Sequence, residues 1–272
     1  MENLSLCICS RSVESQSTTI PILALHGFTG SGLDFECFVE DTADQFTWWL
    51  PDLMGHGDSP VTENIDDYTI SAHIRHLDEI AESIACPFVL LGYSMGGRLA
   101  LSYALERPEL INHLILVGTT PGIENPDERK SRQQSDEALA NSIITGGVKS
   151  FLKTWHKQPI IKTQENIPDF LRTNMMKRRR QNNPLGLANT LRAMGTGVMQ
   201  PLWNRLTEIK CPVTLITGEM DNKFCNIAKQ MKKQAPAMTH EIIPNAGHAA
   251  IWENIDSFVN LMISKNVSYR FG

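Results

Sequence analysis

The chain has 272 residues, of which 42% are hydrophobic and 20% are charged, and its formal net charge at pH 7 is −5. A chain of this length buries a sizeable core, and α/β folds of this size often form one domain. The acidic balance gives no electrostatic reason for binding to nucleic acid or to an anionic membrane surface, so we expect a small-molecule ligand.

The N-terminal residues lack the features of a targeting segment. No basic region precedes an apolar stretch in residues 1–10, and no stretch of the sequence reaches the roughly 18 uncharged apolar residues of a transmembrane helix. The six cysteines are scattered without a Cys-x-x-Cys pair, and Cys7-x-Cys9 alone is a weak metal signal. We therefore expect a cytoplasmic protein with reduced thiols.

Short apolar runs bounded by turn residues recur along the chain and predict buried parallel strands. They lie at residues 20–25, 47–50, 88–91, 114–117, 213–217 and 241–243. Amphipathic stretches of helical length separate several of them, notably residues 70–85 and 95–106. This alternation predicts an α/β fold with a mostly parallel sheet and helices on both faces.

The character of the sequence changes between residues 122 and 205, where no strand is predicted. Residues 124–136 are rich in charge, residues 151–155 are aromatic, and residues 177–180 form a basic run. We predict a helical cap inserted into an α/β core. The core then comprises residues 1–121 and 206–272, the cap comprises residues 122–205, and the two form a single structural domain.

A serine motif follows the third predicted strand and precedes a predicted helix: Gly92-Tyr93-Ser94-Met95-Gly96. In this context Gly-x-Ser-x-Gly forms a sharp turn, in which the flanking glycines permit close backbone approach and the serine Oγ is exposed. The alternative is a tight turn whose serine is incidental. The strand on one side and the helix on the other favour a functional Ser94.

A serine alone is a poor nucleophile or base, so it needs a nearby histidine and a carboxylate that orients the imidazole ring. Asp221 follows the fifth predicted strand, and His248 follows the sixth. The order Ser94, Asp221, His248 is the one expected for a serine motif between a strand and a helix. We predict that these three residues form a catalytic triad.

Alternative roles exist for both partners. Asp221 could serve only as a helix N-cap, and His248 could be a loop histidine bonded to the backbone. Glu219 and Asp52 are competing carboxylates that are less well placed in the chain order. The Asn-Ala-Gly turn before His248 and the helix after it favour the catalytic interpretation.

Negative charge that develops on an oxygen atom is stabilised by N–H donors already in place. The N–H of Met95, at the start of the helix after Ser94, is one candidate, and the N–H of Phe28 in "LHGFTGSG" is the other. The alternative for this second segment is a plain glycine-rich loop. It is not a Walker sequence, because Gly-Lys-Ser/Thr is absent, and no metal-ligand cluster accompanies it, so we expect no metal and no organic cofactor.

Five motifs in chain order resemble the α/β-hydrolase superfamily: "HGFTG", "PDLMGHGDSP", "GYSMGG", "TGEMD" and "NAGHA". Other segments resemble the 2-succinyl-6-hydroxy-2,4-cyclohexadiene-1-carboxylate synthases of menaquinone biosynthesis: "GYSMGGR", "RKSRQQSD", "FLKTWHKQP", "RRRQNNPLGLANTLRAMGTGVMQPLW" and "GEMDNKF". The resemblance implies the α/β-hydrolase fold. It also implies a lyase that eliminates pyruvate from 2-succinyl-5-enolpyruvyl-6-hydroxy-3-cyclohexene-1-carboxylate, with Ser94 as general base.

The substrate of those synthases carries three carboxylates, so its pocket should contain guanidinium groups, which bind carboxylate in a bidentate manner. Arg98 lies four residues after Ser94, one helical turn along the same face, and can therefore reach the same cavity. Trp155 and Tyr93 are candidates for the cavity wall. A position in the hydrophobic core is the alternative for both.

The resemblance also implies a carboxylate-binding role for two cap arginines, Arg132 and Arg180. Without the resemblance a solvated helix face would be the preferred interpretation, because charge runs are usually surface features. Arg178 and Arg179 are assigned to solvent.

Two other classes of function remain open. A carboxylesterase or carbon–carbon bond hydrolase would use the same triad, although Arg98 and the cap arginines argue against it. A non-catalytic ligand-binding protein of the same fold is the second alternative, and the apparently intact triad argues against it. We expect a monomer that binds a small polycarboxylate, with no nucleic-acid partner and no insertion into a membrane.

Overall fold

The computed structural model describes residues 5–11 and 19–264. Within these residues seven strands form one sheet in the order β1-β3-β2-β4-β5-β6-β7. The strands are β1 (Ile8–Arg11), β2 (Ile20–Leu25), β3 (Phe46–Pro51), β4 (Phe88–Tyr93), β5 (Ile111–Val117), β6 (Val213–Gly218) and β7 (Thr239–Ile243).

Strands β2 to β7 are parallel to one another. All six correspond to the predicted apolar runs, so the prediction of a mostly parallel sheet is confirmed. Strand β1 was not predicted. It pairs antiparallel with β3 at the edge of the sheet, in a register that runs from Ile8 opposite Pro51 to Arg11 opposite Trp48.

The α-helices are α1 (Glu36–Val39), α2 (Ile70–Ile84), α3 (Met95–Glu106), α4 (Pro126–Trp155), α5 (Pro159–Lys162), α6 (Asp169–Arg179), α7 (Pro184–Met194), α8 (Asn222–Gln234), α9 (Ala250–Glu253) and α10 (Ile255–Ser264). The helix predicted at residues 95–106 has these bounds in the structure. The helix predicted at residues 70–85 ends one residue earlier, because Ala85 adopts the left-handed C-cap conformation. In the described part of the chain no helix is long and apolar enough to cross a bilayer.

Two apolar clusters cover the two faces of the sheet. On one face, Leu77 of α2 and Leu99 of α3 belong to the same cluster as Leu23 of β2. On the other face, Trp252 of α9 and Phe258 of α10 pack with Ile22 and other side chains of the sheet. Because successive residues of a strand point to opposite faces, Ile22 and Leu23 belong to different clusters, and the sheet is covered on both sides.

Four helices, α4 to α7, lie between β5 and β6, and the structure describes this whole stretch without a strand. Helix α4 is 30 residues long and is bent at Gly147, which has φ 73° and ψ 162°. Side chains from both parts of α4, including Ile143 and Phe151, pack with Leu187 of α7 in a third apolar cluster. The insertion therefore has its own small core next to the carboxyl ends of the strands.

Candidate functional site

Ser94 lies at the sharp turn between β4 and α3, with a backbone φ of 52° and ψ of −102°. This conformation is rare for a residue with a side chain, so close packing has to hold the turn. A Cβ atom at Gly92 would lie 2.6 Å from the carbonyl oxygen of Gly96, and one at Gly96 would collide with the backbone of Leu25. Glycine is therefore required on both sides of Ser94.

A chain of hydrogen bonds joins Ser94, His248 and Asp221. The Nε2 atom of His248 lies 3.0 Å from Ser94 Oγ, and its Nδ1 atom lies 2.7 Å from Asp221 Oδ2. An ionised carboxylate only accepts hydrogen bonds, so Nδ1 carries the proton and a neutral ring leaves Nε2 to accept from the serine hydroxyl. The structure thus brings the three predicted residues into the arrangement that serine activation requires.

Asp221 has two structural roles at once. Its Oδ2 atom binds His248, while Oδ1 accepts from the N–H of Phe224 and caps α8. The competing carboxylates are occupied elsewhere: Glu219 accepts from the N–H of Asn245, and Asp52 accepts from the N–H of Gly32. Asp221 is therefore the N-cap of α8 and at the same time contacts the imidazole of His248.

The loop that carries His248 is held by Glu253, which the sequence analysis did not identify. The Glu253 carboxylate accepts from the N–H groups of Gly247 (2.6 Å) and Ala249 (3.1 Å), the residues on either side of the histidine. It also accepts from Thr163 Oγ1 at 2.9 Å. Glu253 therefore connects the histidine loop to the insertion.

Phe28 lies in a four-residue turn from Gly27 to Gly30. The Gly27 carbonyl accepts from the N–H of Gly30 at 3.0 Å and lies 2.8 Å from His26 Nδ1. His26 Nε2 accepts from the N–H of Leu53, so Nδ1 is the protonated nitrogen and donates to Gly27. The peptide between Gly27 and Phe28 is planar, and two donors on its oxygen therefore fix the direction of the Phe28 N–H.

Met95 is the first residue of α3, where backbone N–H groups have no acceptor within the helix. Met95, Phe28 and Ser94 all line one cavity of about 890 Å³, which also exposes His248. A volume of this size accommodates a small organic molecule. The cavity lies between the strand ends and the helical insertion.

One wall of this cavity is aromatic. The ring of Phe28 lies 5.7 Å from that of Trp155 and 6.1 Å from that of Phe151, in edge-to-face contacts. Trp155 and Tyr93 both line the cavity, and Tyr93 is also 4.8 Å from the Trp252 ring in the core below. Burial raises the pKa of the Tyr93 hydroxyl, so this group remains a neutral donor.

A second wall carries Arg98 and Arg132. Arg98 is 8% exposed and donates to the carbonyl of Met194 at 2.6 Å. Burial, followed by the charge of Arg132, lowers the pKa of Arg98 to about 10. Arg132 donates through Nε to Asp136 at 2.8 Å, and burial raises the pKa of this carboxyl. Both arginines line the cavity, and their binding of carboxylate stays a prediction.

The predictions for the neighbouring arginines of α6 need correction. Arg179, which was assigned to solvent, is 8% exposed and lines the cavity, while Arg180 is exposed and does not line it. Arg178 is also not free in solvent, because its guanidinium forms an ion pair with Asp34 at 2.7 Å. Successive side chains of a helix point about 100° apart, so an error of one position exchanges a buried side chain for an exposed one.

Arg179 donates to the Gln164 side chain at 2.8 Å, and its Nε atom is buried without a hydrogen-bond partner. Within the described residues neither Arg179 nor Arg98 forms an ion pair with a carboxylate. The acidic side chains Glu124 and Glu128 line the cavity only from exposed positions at its rim. The interior therefore has unpaired positive charge in two places.

No group of three or more His, Cys, Asp or Glu side chains that could hold a metal occurs within residues 5–11 and 19–264. The arrangement offers a serine hydroxyl that is hydrogen-bonded to an imidazole, two backbone N–H groups that line the same cavity, and guanidinium groups.

Comparison with known proteins places this chain in a family. The model of the alpha/beta hydrolase fold matches residues 20–255. A protein of Bacillus subtilis (strain 168) with the provisional name 2-succinyl-6-hydroxy-2,4-cyclohexadiene-1-carboxylate synthase is 37% identical over 86% of each chain. The synthase of that name from Escherichia coli O1:K1 / APEC is 30% identical over 86% of this chain and 88% of its own.

Solved structures of other proteins have the same fold as this chain. MenH from S. aureus is 31% identical, with a TM-score of 0.87 over 96% of this chain and 99% of its own. A thermophilic esterase from Thermogutta terrifontis shares the fold at 22% identity, with a TM-score of 0.78 over 97% of this chain and 94% of its own. The chain belongs to the alpha/beta hydrolase fold family.

Proposed function

We propose that the protein is a lyase that eliminates pyruvate from 2-succinyl-5-enolpyruvyl-6-hydroxy-3-cyclohexene-1-carboxylate, giving 2-succinyl-6-hydroxy-2,4-cyclohexadiene-1-carboxylate in menaquinone biosynthesis. One observation carries the proposal: Ser94 and His248, the latter hydrogen-bonded to Asp221, line the same cavity as two buried guanidinium groups without carboxylate partners. The similarity to the synthases supports the same assignment.

The unpaired guanidinium groups favour a ligand with several carboxylates. A buried charge without a partner is costly, and an apolar ester would leave Arg98 and Arg179 in that condition when it bound. A tricarboxylate would supply partners for both and could also reach the outer nitrogens of Arg132. Trp155 and Phe28 would contact the ring and the methylene groups of the ligand, and Tyr93 would contribute a neutral hydroxyl.

The names of substrate and product define the bond changes. The ring double bond at position 3 is replaced by double bonds at positions 2 and 4, so C2 loses a proton and the C5–O bond breaks. The electron pair from the C2–H bond forms C2=C3, the former C3=C4 pair forms C4=C5, and the C5–O pair leaves with the enolpyruvyl group. Protonation of its methylene carbon gives pyruvate and returns the one proton that the base removed from C2, so the base is restored and no water is consumed.

Ser94 is the base that removes the C2 proton in this proposal. His248 Nε2 accepts the hydroxyl proton of Ser94, and Asp221 stabilises the imidazolium that results. The C2 carbon is next to the succinyl carbonyl, so negative charge develops on that oxygen. The N–H groups of Phe28 and Met95 are the donors that stabilise it. No cofactor takes part, and residues 122–205 act as the cap that encloses the ligand.

The test is pyruvate release from freshly prepared substrate, coupled to lactate dehydrogenase, with p-nitrophenyl ester cleavage measured in parallel. We expect rapid pyruvate release, negligible ester cleavage, and loss of pyruvate release in Ser94→Ala. Ser102→Ala is the matched control, because Ser102 is a buried serine of α3 whose hydroxyl donates to the carbonyl of Arg98 and which does not line the cavity. Its activity should stay close to that of the wild type.

Other outcomes identify the alternatives. Ester turnover without pyruvate, together with a covalent adduct on Ser94 in intact-mass measurements, would indicate a hydrolase with a nucleophilic serine. Inactivity in both assays with a bound polycarboxylate would indicate a binding protein.

A further inference from the structure

The turn that contains Phe28 is strained at the next residue. Thr29 has φ 69°, although it is β-branched, and it occupies the third position of the turn closed by Gly30 and Gly27. A positive φ at this position is typical of a type II turn, which usually has glycine or asparagine there. A threonine therefore needs outside contacts to remain in this conformation.

One such contact comes from the helical insertion. Asn182, between α6 and α7, is buried, and its Nδ2 atom donates to the Thr29 carbonyl at 2.9 Å. Its Oδ1 atom accepts from the N–H of Gly57 at 3.0 Å, and Nδ2 also lies 3.3 Å from the carbonyl of Arg179. The amide is thus fixed on both sides, and its orientation toward Thr29 is determined.

We infer that Asn182 is a positioning residue: it holds the strained Thr29 turn so that the Phe28 N–H points into the cavity. The inference rests on the proposed function, in which this N–H stabilises the developing enolate. His26 and Gly30 fix the Gly27 carbonyl at the start of the turn, and Asn182 fixes the Thr29 carbonyl at its end. The Phe28 N–H is therefore held in position to stabilise the oxyanion only while the helical insertion packs against the core.

The decisive variant is Asn182→Asp, which keeps the shape and the Oδ1 acceptor but replaces the Nδ2 donor by an oxygen that repels the Thr29 carbonyl. Removal of one oxyanion donor costs about 10²–10³ in kcat, and a misdirected donor should cost at least tenfold. We expect kcat for pyruvate release to fall by that amount while KM changes less than twofold.

The matched control is Asn189→Asp. Asn189 is also a buried asparagine of the insertion, and its Nδ2 atom donates to a core carbonyl at 3.2 Å, but this carbonyl belongs to Thr62, away from the turn. A general loosening of the insertion would affect both variants equally. We expect Asn189→Asp to keep the kcat of the wild type.

A rescue experiment tests the strain directly. Glycine adopts a positive φ without cost, so Thr29→Gly should restore most of the lost kcat in the Asn182→Asp background. If Asn182→Asp does not yield folded protein, Asn182→Ala removes the same donor without adding a charge. The inference would be overturned by an unchanged kcat in Asn182→Asp or by an equal loss of kcat in Asn189→Asp. It would also be overturned if Thr29→Gly restored none of the kcat lost in Asn182→Asp.

Hydrogen exchange separates this inference from the proposed function. The Gly30 N–H closes the turn, so its exchange rate reports the turn without any substrate. We expect it to exchange at least tenfold faster in Asn182→Asp and at the wild-type rate in Asn189→Asp. If the wild type releases no pyruvate, the proposed function fails, and the exchange rates alone decide the role of Asn182: equal rates in the two variants would refute it.

Discussion

Replacement of Arg98 by methionine should stabilise the protein or leave its stability unchanged, while it removes most of the activity. Burial lowers the pKa of Arg98 to about 10 from an ordinary 12.5, and this difference corresponds to about 3 kcal/mol of unfavourable free energy for the charged group. Methionine removes that cost but leaves the Met194 carbonyl without its donor, which costs about 1–3 kcal/mol. The net effect is a gain of about 0–2 kcal/mol in the free energy of unfolding.

The kinetic effect has the opposite sign. Loss of one partner from a buried charged pair costs about 2–5 kcal/mol, so kcat/KM for pyruvate release should fall roughly 30- to 5000-fold. Urea unfolding and the lactate dehydrogenase assay measure the two quantities. Arg192→Met is the control, since Arg192 bonds to Glu137 and Asn141 at the surface of the insertion and should not affect kcat/KM. A clear loss of stability in Arg98→Met, or an unchanged kcat/KM, would refute the assignment of Arg98 as a buried charge kept for the ligand.

Three further predictions concern the histidines and their surroundings. In Gly118→Ala, the new Cβ would lie 2.9 Å from His248 Cε1, so the imidazole ring should move away from Ser94. We expect kcat to fall about 100-fold as a result, and a wild-type kcat would contradict this steric argument. Glu253→Gln keeps only one acceptor oxygen for the two N–H groups that flank His248, so we expect kcat to fall severalfold with KM nearly unchanged; an effect on KM alone would show that Glu253 does not act through the histidine loop. Burial lowers the pKa of His73 to about 4, so this ring is neutral in the folded state while the unfolded chain binds a proton below pH 6.5. Stability should therefore fall by about 2 kcal/mol between pH 7 and pH 5 through this residue, and urea unfolding of His73→Asn should show a smaller dependence on pH.

Much of the fold was predictable because the relevant signals are local. Most of the parallel strands contain a short apolar run, and the turn around Ser94 depends on glycines within two residues of it. Asp221 and His248 follow strands in the order that this fold imposes. Strand β1 has only four residues, two of them polar, and its existence depends on pairing with β3, so the sequence around it carries no clear periodic signal.

The errors at Arg179 and Arg180 have a geometric cause. The basic run shows that guanidinium groups are present, but the rotation of α6 about its axis decides which of them enters the cavity. That rotation depends on contacts with distant parts of the chain, such as the ion pair between Arg178 and Asp34. Spacing within the run contains no information about it.

Glu253 and Asn182 were missed for a related reason. Both are polar residues whose partners lie in loops, and their roles consist of hydrogen bonds to backbone groups far away in sequence. Neither residue belongs to a pattern with a helical or strand period. Such residues become visible only when the loops are placed next to each other.

The bend at Gly147 has a consequence for how ligand selection is distributed along the chain. A straight helix of 30 residues would be about 45 Å long and could present only one stripe of side chains to a cavity. The bend divides α4 into one part that carries Arg132 and Asp136 and another that carries Trp155, and all three line the cavity. The charged pair and the indole ring thus reach the cavity from different stretches of one element, so substitutions can change the charged and the aromatic lining of the cavity at separate positions.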